Sequence, residues 1–188
     1  MRLLKIAAVG AALSLAGCID VDMNTEILGP DQARVSGFMQ VQAGMLDMMG
    51  GAESFCDAED GGTLEMTDTH ARCNILMEGD FAEVFSNGGD EPAPTAEDLG
   101  DGTVRVSFPI SAFTADAAEM REDPQMAAMM RPMLEGHSFV LRISGAEIVS
   151  STGEVSADGT STSFTLPLVQ MLDADADLPD TFEAVVRY

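Results

Sequence analysis

Residues 139–168 read FVLRISGAEIVSSTGEVSADGTSTSFTLPL. Phe139, Leu141 and Ile143 alternate with their neighbours at a period of two, the mark of a strand with one buried face. Ile148 continues the apolar series, a reversal falls near Gly153, and Asp158-Gly159 offers a tight turn. Thr162, Phe164, Leu166 and Leu168 then form one face, and Phe182, Ala184, Val186 and Tyr188 form another after an acidic loop. The stretch therefore predicts an antiparallel meander that closes the chain.

Working back, Ile19, Val21, Met23 and Ile27 alternate against Asp20, Asp22, Asn24 and Glu26, giving a first strand. Gly29-Pro30-Asp31 makes a turn, and Ala33 to Val41 returns as its hairpin partner. Thr63 to Met77 is extended. Val104, Val106, Phe108 and Ile110 make another strand, in which Pro109 argues for a sheet edge or a strand end. Ser86 to Gly102, rich in Gly, Pro, Asp and Glu, reads as a long loop with one helical turn near Thr95.

Helical signals lie between the strands. Gly44 to Met49 can form a short helix with Met45, Met48 and Met49 on one face, stopped by Gly50-Gly51. Asp80 can cap a short helix bearing Phe81, Val84 and Phe85. Thr114 can cap another helix, and Asp123-Pro124 supplies a cap residue and an N1 proline for a helix reaching about Leu134, with Gly136 as its stop. The fold class is α+β: an antiparallel sheet of hairpins and meander with one or two short amphipathic helices packed on one face. No internal repeat is visible.

The N-terminus carries a different message. Arg2 and Lys5 precede an apolar run from Ile6 to Leu15, the layout of a secretory signal peptide, too short for the ~20 residues a spanning helix needs. Leu15-Ala16-Gly17-Cys18 resembles the lipobox of bacterial lipoproteins. That resemblance implies cleavage after residue 17 and a thioether from Cys18 to diacylglycerol, with acyl chains such as palmitate holding the protein on a membrane. A chance cysteine after an ordinary signal peptide is the bland alternative. Residues 1–17 are thus the expected leader and 18–188 a single exported domain. By resemblance to the sorting rule of enteric bacteria, Ile19 in place of Asp after the cysteine implies the outer membrane, periplasmic face.

Charge and cysteine usage agree with export. Without the leader the chain keeps seven Arg, no Lys and 32 acids, a net charge of −25. Such a surface repels nucleic acid and anionic lipid, so the expected membrane contact is the anchor itself. Once Cys18 is assigned to lipid, Cys56 and Cys73 remain as an even pair in an oxidising compartment, and a disulfide between them is expected to contribute about 3 kcal/mol.

Three further patterns bear on function. Met126, Met129, Met130 and Met133, with Leu134, recur at helical spacing as one apolar face. That face either packs on the sheet or forms an adaptable groove for a lipid or apolar peptide. Asp173, Asp175 and Asp177 alternate like the start of a calcium loop, but Leu178 and Ala184 stand where an EF-hand needs Gly and Glu, so a solvated acidic turn is expected and no metal is assigned. No cofactor or catalytic motif occurs, and His70 and His137 are isolated in sequence.

Residues 17–28 (GCIDVDMNTEIL), 34–41 (RVSGFMQV) and 139–168 resemble the LppM-like domain of bacterial lipoproteins. The resemblance implies an α+β envelope domain with a part in lipid contact. Many such relatives carry a membrane helix after the domain, and this chain is expected to differ from them in lacking one. Three functions remain open: a binding or structural envelope module, a carrier or sensor of an apolar ligand in a Met-lined groove, and a hydrolase without recognisable motif. Expected partners are the membrane, through the lipid, and an apolar ligand or envelope protein.

Overall fold

Ile19–Ile27, nine residues of alternating chemistry broken only by the inward Thr25, form strand β1, and the turn at Gly29-Pro30 returns the chain as β2, Gln32–Gln42. The turn closes through Leu28 and Gly29 backbone N–H groups donating to the Gln32 carbonyl. This hairpin is the centre of a computed structural model that describes residues 19–47, 50–58, 61–85, 93–111, 123–173, 176 and 178–188. Cys18, Met48, Met49 and Thr114 lie outside the described residues, as do Asp175 and Asp177.

The remaining strands are β3 (Gly62–Met66), β4 (His70–Asp80), β5 (Thr95–Gly100), β6 (Thr103–Pro109), β7 (Ser138–Ser144), β8 (Glu147–Ser151), β9 (Glu154–Val155), β10 (Ser161–Pro167) and β11 (Thr181–Arg187). The helices whose extent the described residues cover are α1 (Ala52–Phe55), α2 (Phe81–Val84) and α3 (Pro124–Leu134), with short 3-10 segments at Ala43–Met45 and Leu168–Leu172. Seven strands form one sheet in the order β3-β4-β2-β1-β7-β10-β9, and four form a second in the order β5-β6-β11-β8. The domain is mixed α+β and mainly β.

The expected meander is corrected. β7 and β8 are consecutive but belong to different sheets, β8 pairing with β11 and β7 with β10. The chain crosses over at Gly145 and crosses back at Gly153. A Cβ at 145 would lie 2.4 Å from Val186 Cγ1, and one at 153 would lie 2.5 Å from both Phe182 Cε2 and the Ser163 carbonyl oxygen. Only a residue without a side chain lets the two sheets approach this closely at both crossings. The large sheet is also not wholly antiparallel, because β1 and β7 run parallel.

Other local expectations are revised by packing. Thr63 to Met77 is two strands joined by a turn in which the Thr67 and His70 backbones bond each other, not one extended segment. The helical turn near Thr95 is instead β5, whose N–H and C=O groups pair with β6. Pro109 ends β6, which is an interior strand with β5 and β11 on its two sides, so the missing donor falls where pairing stops. Among its described residues, Gly44 to Asp47 contains the end of the 3-10 turn Ala43–Met45, and α1, for which no pattern in the sequence stands out, brings Phe55 into the core at 5% exposure.

Side chains of β1 sort by parity. Its outward residues are each bound by a neighbouring strand or its approach: Asp20 by His137, Asp22 by Arg142, Asn24 by Ser144 and Glu26 by Arg34. Arg34 also holds Glu78 at 2.9 Å, and hydrogen bonding to Glu78, reinforced by both charges, keeps its guanidinium pKa above the ordinary value. The inward face is apolar and meets three covers. The four-stranded sheet and α2 cover one part in a core that includes Ile27, Ile143, Val104, Phe108 and Phe182. Leu46 and Phe55 cover Val41, Ala71 and Cys73, and α3 with Leu168–Leu172 covers Ile19 and Phe139.

Candidate functional site

Between these covers the described residues leave the inner face of the large sheet incompletely filled. The register places Val21, Met39 and Phe139 in one row, Met23, Ile75 and Leu141 in the next, and Thr25, Val35 and Met77 in a third. Phe108 from β6, Val84 and Phe85 at α2, and Pro94 close over these rows and leave a cleft of about 430 Å³. Among the described residues its walls are almost wholly apolar, with the Thr25 hydroxyl the exception among their side chains.

The walls owe their position to ordinary local signals. Inward alternation along β1, β2, β4 and β7 supplies the floor. One end is set by Asp80, whose carboxylate accepts from the Glu83 backbone N–H and starts α2, which swings Val84 and Phe85 over the sheet. Phe85 packs edge-on to Phe108 with centroids 6.1 Å apart. Met23, Met39 and Met77 are only half-buried although they point inward. Unbranched thioethers of this kind reshape readily around different contents.

The predicted methionine stripe lies elsewhere. α3 forms as expected, with the Asp123 carboxylate accepting from the backbone N–H groups of Gln125 and Met126, and the helix stops before Gly136. Met130 packs against Leu134, Leu168 and Leu172, and Met133 is half-buried. Met126 and Met129, however, are 44% and 66% exposed. None of the four lines the cleft. The methionines that do line it sit on three different strands, where helical periodicity gives no clue. Their only sequence signal is a methionine at inward positions of strands otherwise filled by branched residues.

Cys56 and Cys73 are joined by a disulfide with a Cα–Cα distance of 5.4 Å, fastening the α1 segment to β4. Asp173 is in an ion pair with Arg131 at 2.7 Å, which occupies its carboxylate. Among the described residues no group of three or more His, Cys, Asp or Glu is arranged to hold a metal ion. His70 bonds the adjacent Thr69 hydroxyl on the surface. His137 Nδ1 lies 2.8 Å from Asp20 Oδ2, and the Ser138 backbone N–H donates to the other oxygen of that carboxylate. This is a His–carboxylate pair, but among the described residues no nucleophilic side chain bonds to His137, and the pair's visible effect is to tie β1 to the start of β7.

Every arginine among the described residues is engaged. Arg34, Arg105, Arg131, Arg142 and Arg187 hold acids, and Arg72 lies 3.5 Å over the Phe38 ring. Their charge is already committed within the domain.

Fold and cleft define a class: a two-sheet, mainly β domain with an apolar opening on the inner face of its larger sheet. Its fold is similar to the folded domain of the LppM protein of Mycobacterium tuberculosis, solved by NMR, with a TM-score of 0.50, 14% sequence identity and 92% of each chain covered. The likeness extends over nearly the whole domain and is one of fold. No protein-family model matches the sequence, and no curated protein matches it.

Proposed function

We propose that this chain is an envelope lipoprotein, anchored through acyl chains on Cys18, whose exported domain is a binding module that takes a lipid chain or similar apolar ligand in the cleft between its sheets. The observation that carries the ligand is the cleft of about 430 Å³ with its half-buried methionines. Pockets for small ligands run from roughly 300 to 1,000 Å³ and are mostly apolar. The lipobox-like sequence at residues 15–18 supports the anchor, and the similarity in fold to LppM agrees with an envelope setting. No described helix is long and apolar enough to cross a membrane.

The function proposed is non-enzymatic, and the site is the periplasmic face of the outer membrane. Native mass spectrometry of protein extracted from its own membrane is expected to show an N-terminal diacylglyceryl-cysteine and a co-purifying apolar molecule. Filling the cleft with Met39→Trp should abolish that second mass and leave the first. Wild-type protein that emerges empty, and that fails to shift the emission of a solvatochromic lipid probe, would overturn the ligand. Fractionation that finds it only in the inner membrane would overturn the location.

A further inference from the structure

The cleft leaves the outward face of α3 unused, and we infer that this face rests on the surface of the membrane, making α3 a second, weak contact beside the lipid anchor. The inference rests on the anchoring proposed above. Its starting point is position. Residue 18 is one peptide, about 3.8 Å between Cα atoms, from Ile19. The Ile19 side chain packs in the cluster of Met130 and Leu134, the inner side of α3. A helix with its side chains is about 10 Å across, so the far side of α3 lies within the reach of an anchor at residue 18.

Charge supplies the second argument. The chain has 32 acids in 188 residues, yet the eleven residues of α3 contain none. Its one cation, Arg131, is committed to Asp173. The side turned away from the cluster presents Gln125, Ala128, Met129 and Pro132, all exposed and all uncharged. An acidic globule held at a bilayer is repelled by anionic lipid wherever its acids face it. α3 gives it an uncharged stretch at the anchored end, bounded by the exposed Asp123 and Glu135 at its two ends, with Met129 free to enter the interface. The fitting partner is therefore a zwitterionic lipid face.

The chain contains no tryptophan, so a single one reports its own surroundings. Full-length lipidated M129W is to be reconstituted in phosphatidylcholine vesicles with and without brominated acyl chains. The control is L76W, at a β4 residue of matching exposure (64%) that sits in register with Asn24, about 17 Å along β1 from Ile19. Residues seated in the headgroup and upper acyl region should be quenched, so about two-fold stronger quenching is expected at 129 than at 76, with M126W between them. Protein that floats with the vesicles but shows equal quenching at both sites overturns the contact alone. A blue-shifted, unquenched Trp at 129 also overturns it, because position 129 is then covered by protein, within the chain or from a second copy, and not by lipid. Protein that stays in solution overturns the anchor and the contact together.

Discussion

The inner face of the seven-stranded sheet is one surface with two fates. Under the four-stranded sheet it meets branched and aromatic side chains: Ile143, Val104, Val106 and Val186 are fully buried, and Phe182 is 1% exposed. A few residues along the same strands, Met23, Met39 and Met77 stay half-exposed around the cleft. Rigid, well-fitted shapes exclude everything else from the first region, whereas flexible thioethers leave the second able to change shape. The register continues unbroken through both, so the difference lies in side chains and cover.

The sharpest way to break this comparison is to remove one side chain from each region. Phe182 stacks between Phe108 and Phe164, at centroid distances of 6.4 and 6.0 Å. Phe182→Ala is expected to destabilise the domain by about 3–5 kcal/mol in chemical unfolding. Met39→Ala should cost about 1 kcal/mol or less, because its side chain is only partly withdrawn from water, while altering uptake of an apolar probe. Equal losses from the two would mean that the cleft is packed like the core.

The smallest expected effect lies outside both regions, in the turn between β9 and β10. The Asp158 carboxylate accepts from the Ser156 hydroxyl at 2.6 Å and from the Thr160 backbone N–H and hydroxyl, and these bonds, that from Ser156 foremost, hold its pKa below the usual aspartate value. Because the folded value is depressed, the turn's gain is complete above the unfolded value of about 3.9 and is lost as pH falls through the folded one. Carbon NMR titration should place Asp158 below the other exposed aspartates. Asp158→Asn should remove that acid-side dependence by losing the turn's small gain at neutral pH, so that variant and wild type converge as pH falls through the folded value.

Much of this architecture is written in short-range patterns. Alternation in residues 19–27 and 33–41 announced the first hairpin, Asp80 and Asp123 announced the starts of α2 and α3, and an even pair of cysteines announced the bridge. Sheet membership was hidden. A period of two says that one face of β8 is buried but not against which layer, and Gly145 and Gly153 show their purpose only when Val186 and Phe182 are brought beside them. The site was hidden for the same reason. Met126 to Met133 are conspicuous because one helix gathers them, whereas Met23, Met39 and Met77 meet only through pairing across three strands.

The placement of β1 also fixes an order of events at birth. This strand lies in the middle of the large sheet, with β2 on one side and β7 on the other. β2 follows at once, but the β7 side must wait: Asp20 and His137, which close that seam, are 117 positions apart. A chain that emerges from its N-terminus therefore leaves one edge of β1 unpaired for most of its synthesis. Such long-range closure slows folding, because the β1–β7 pairing cannot form until residue 138 arrives.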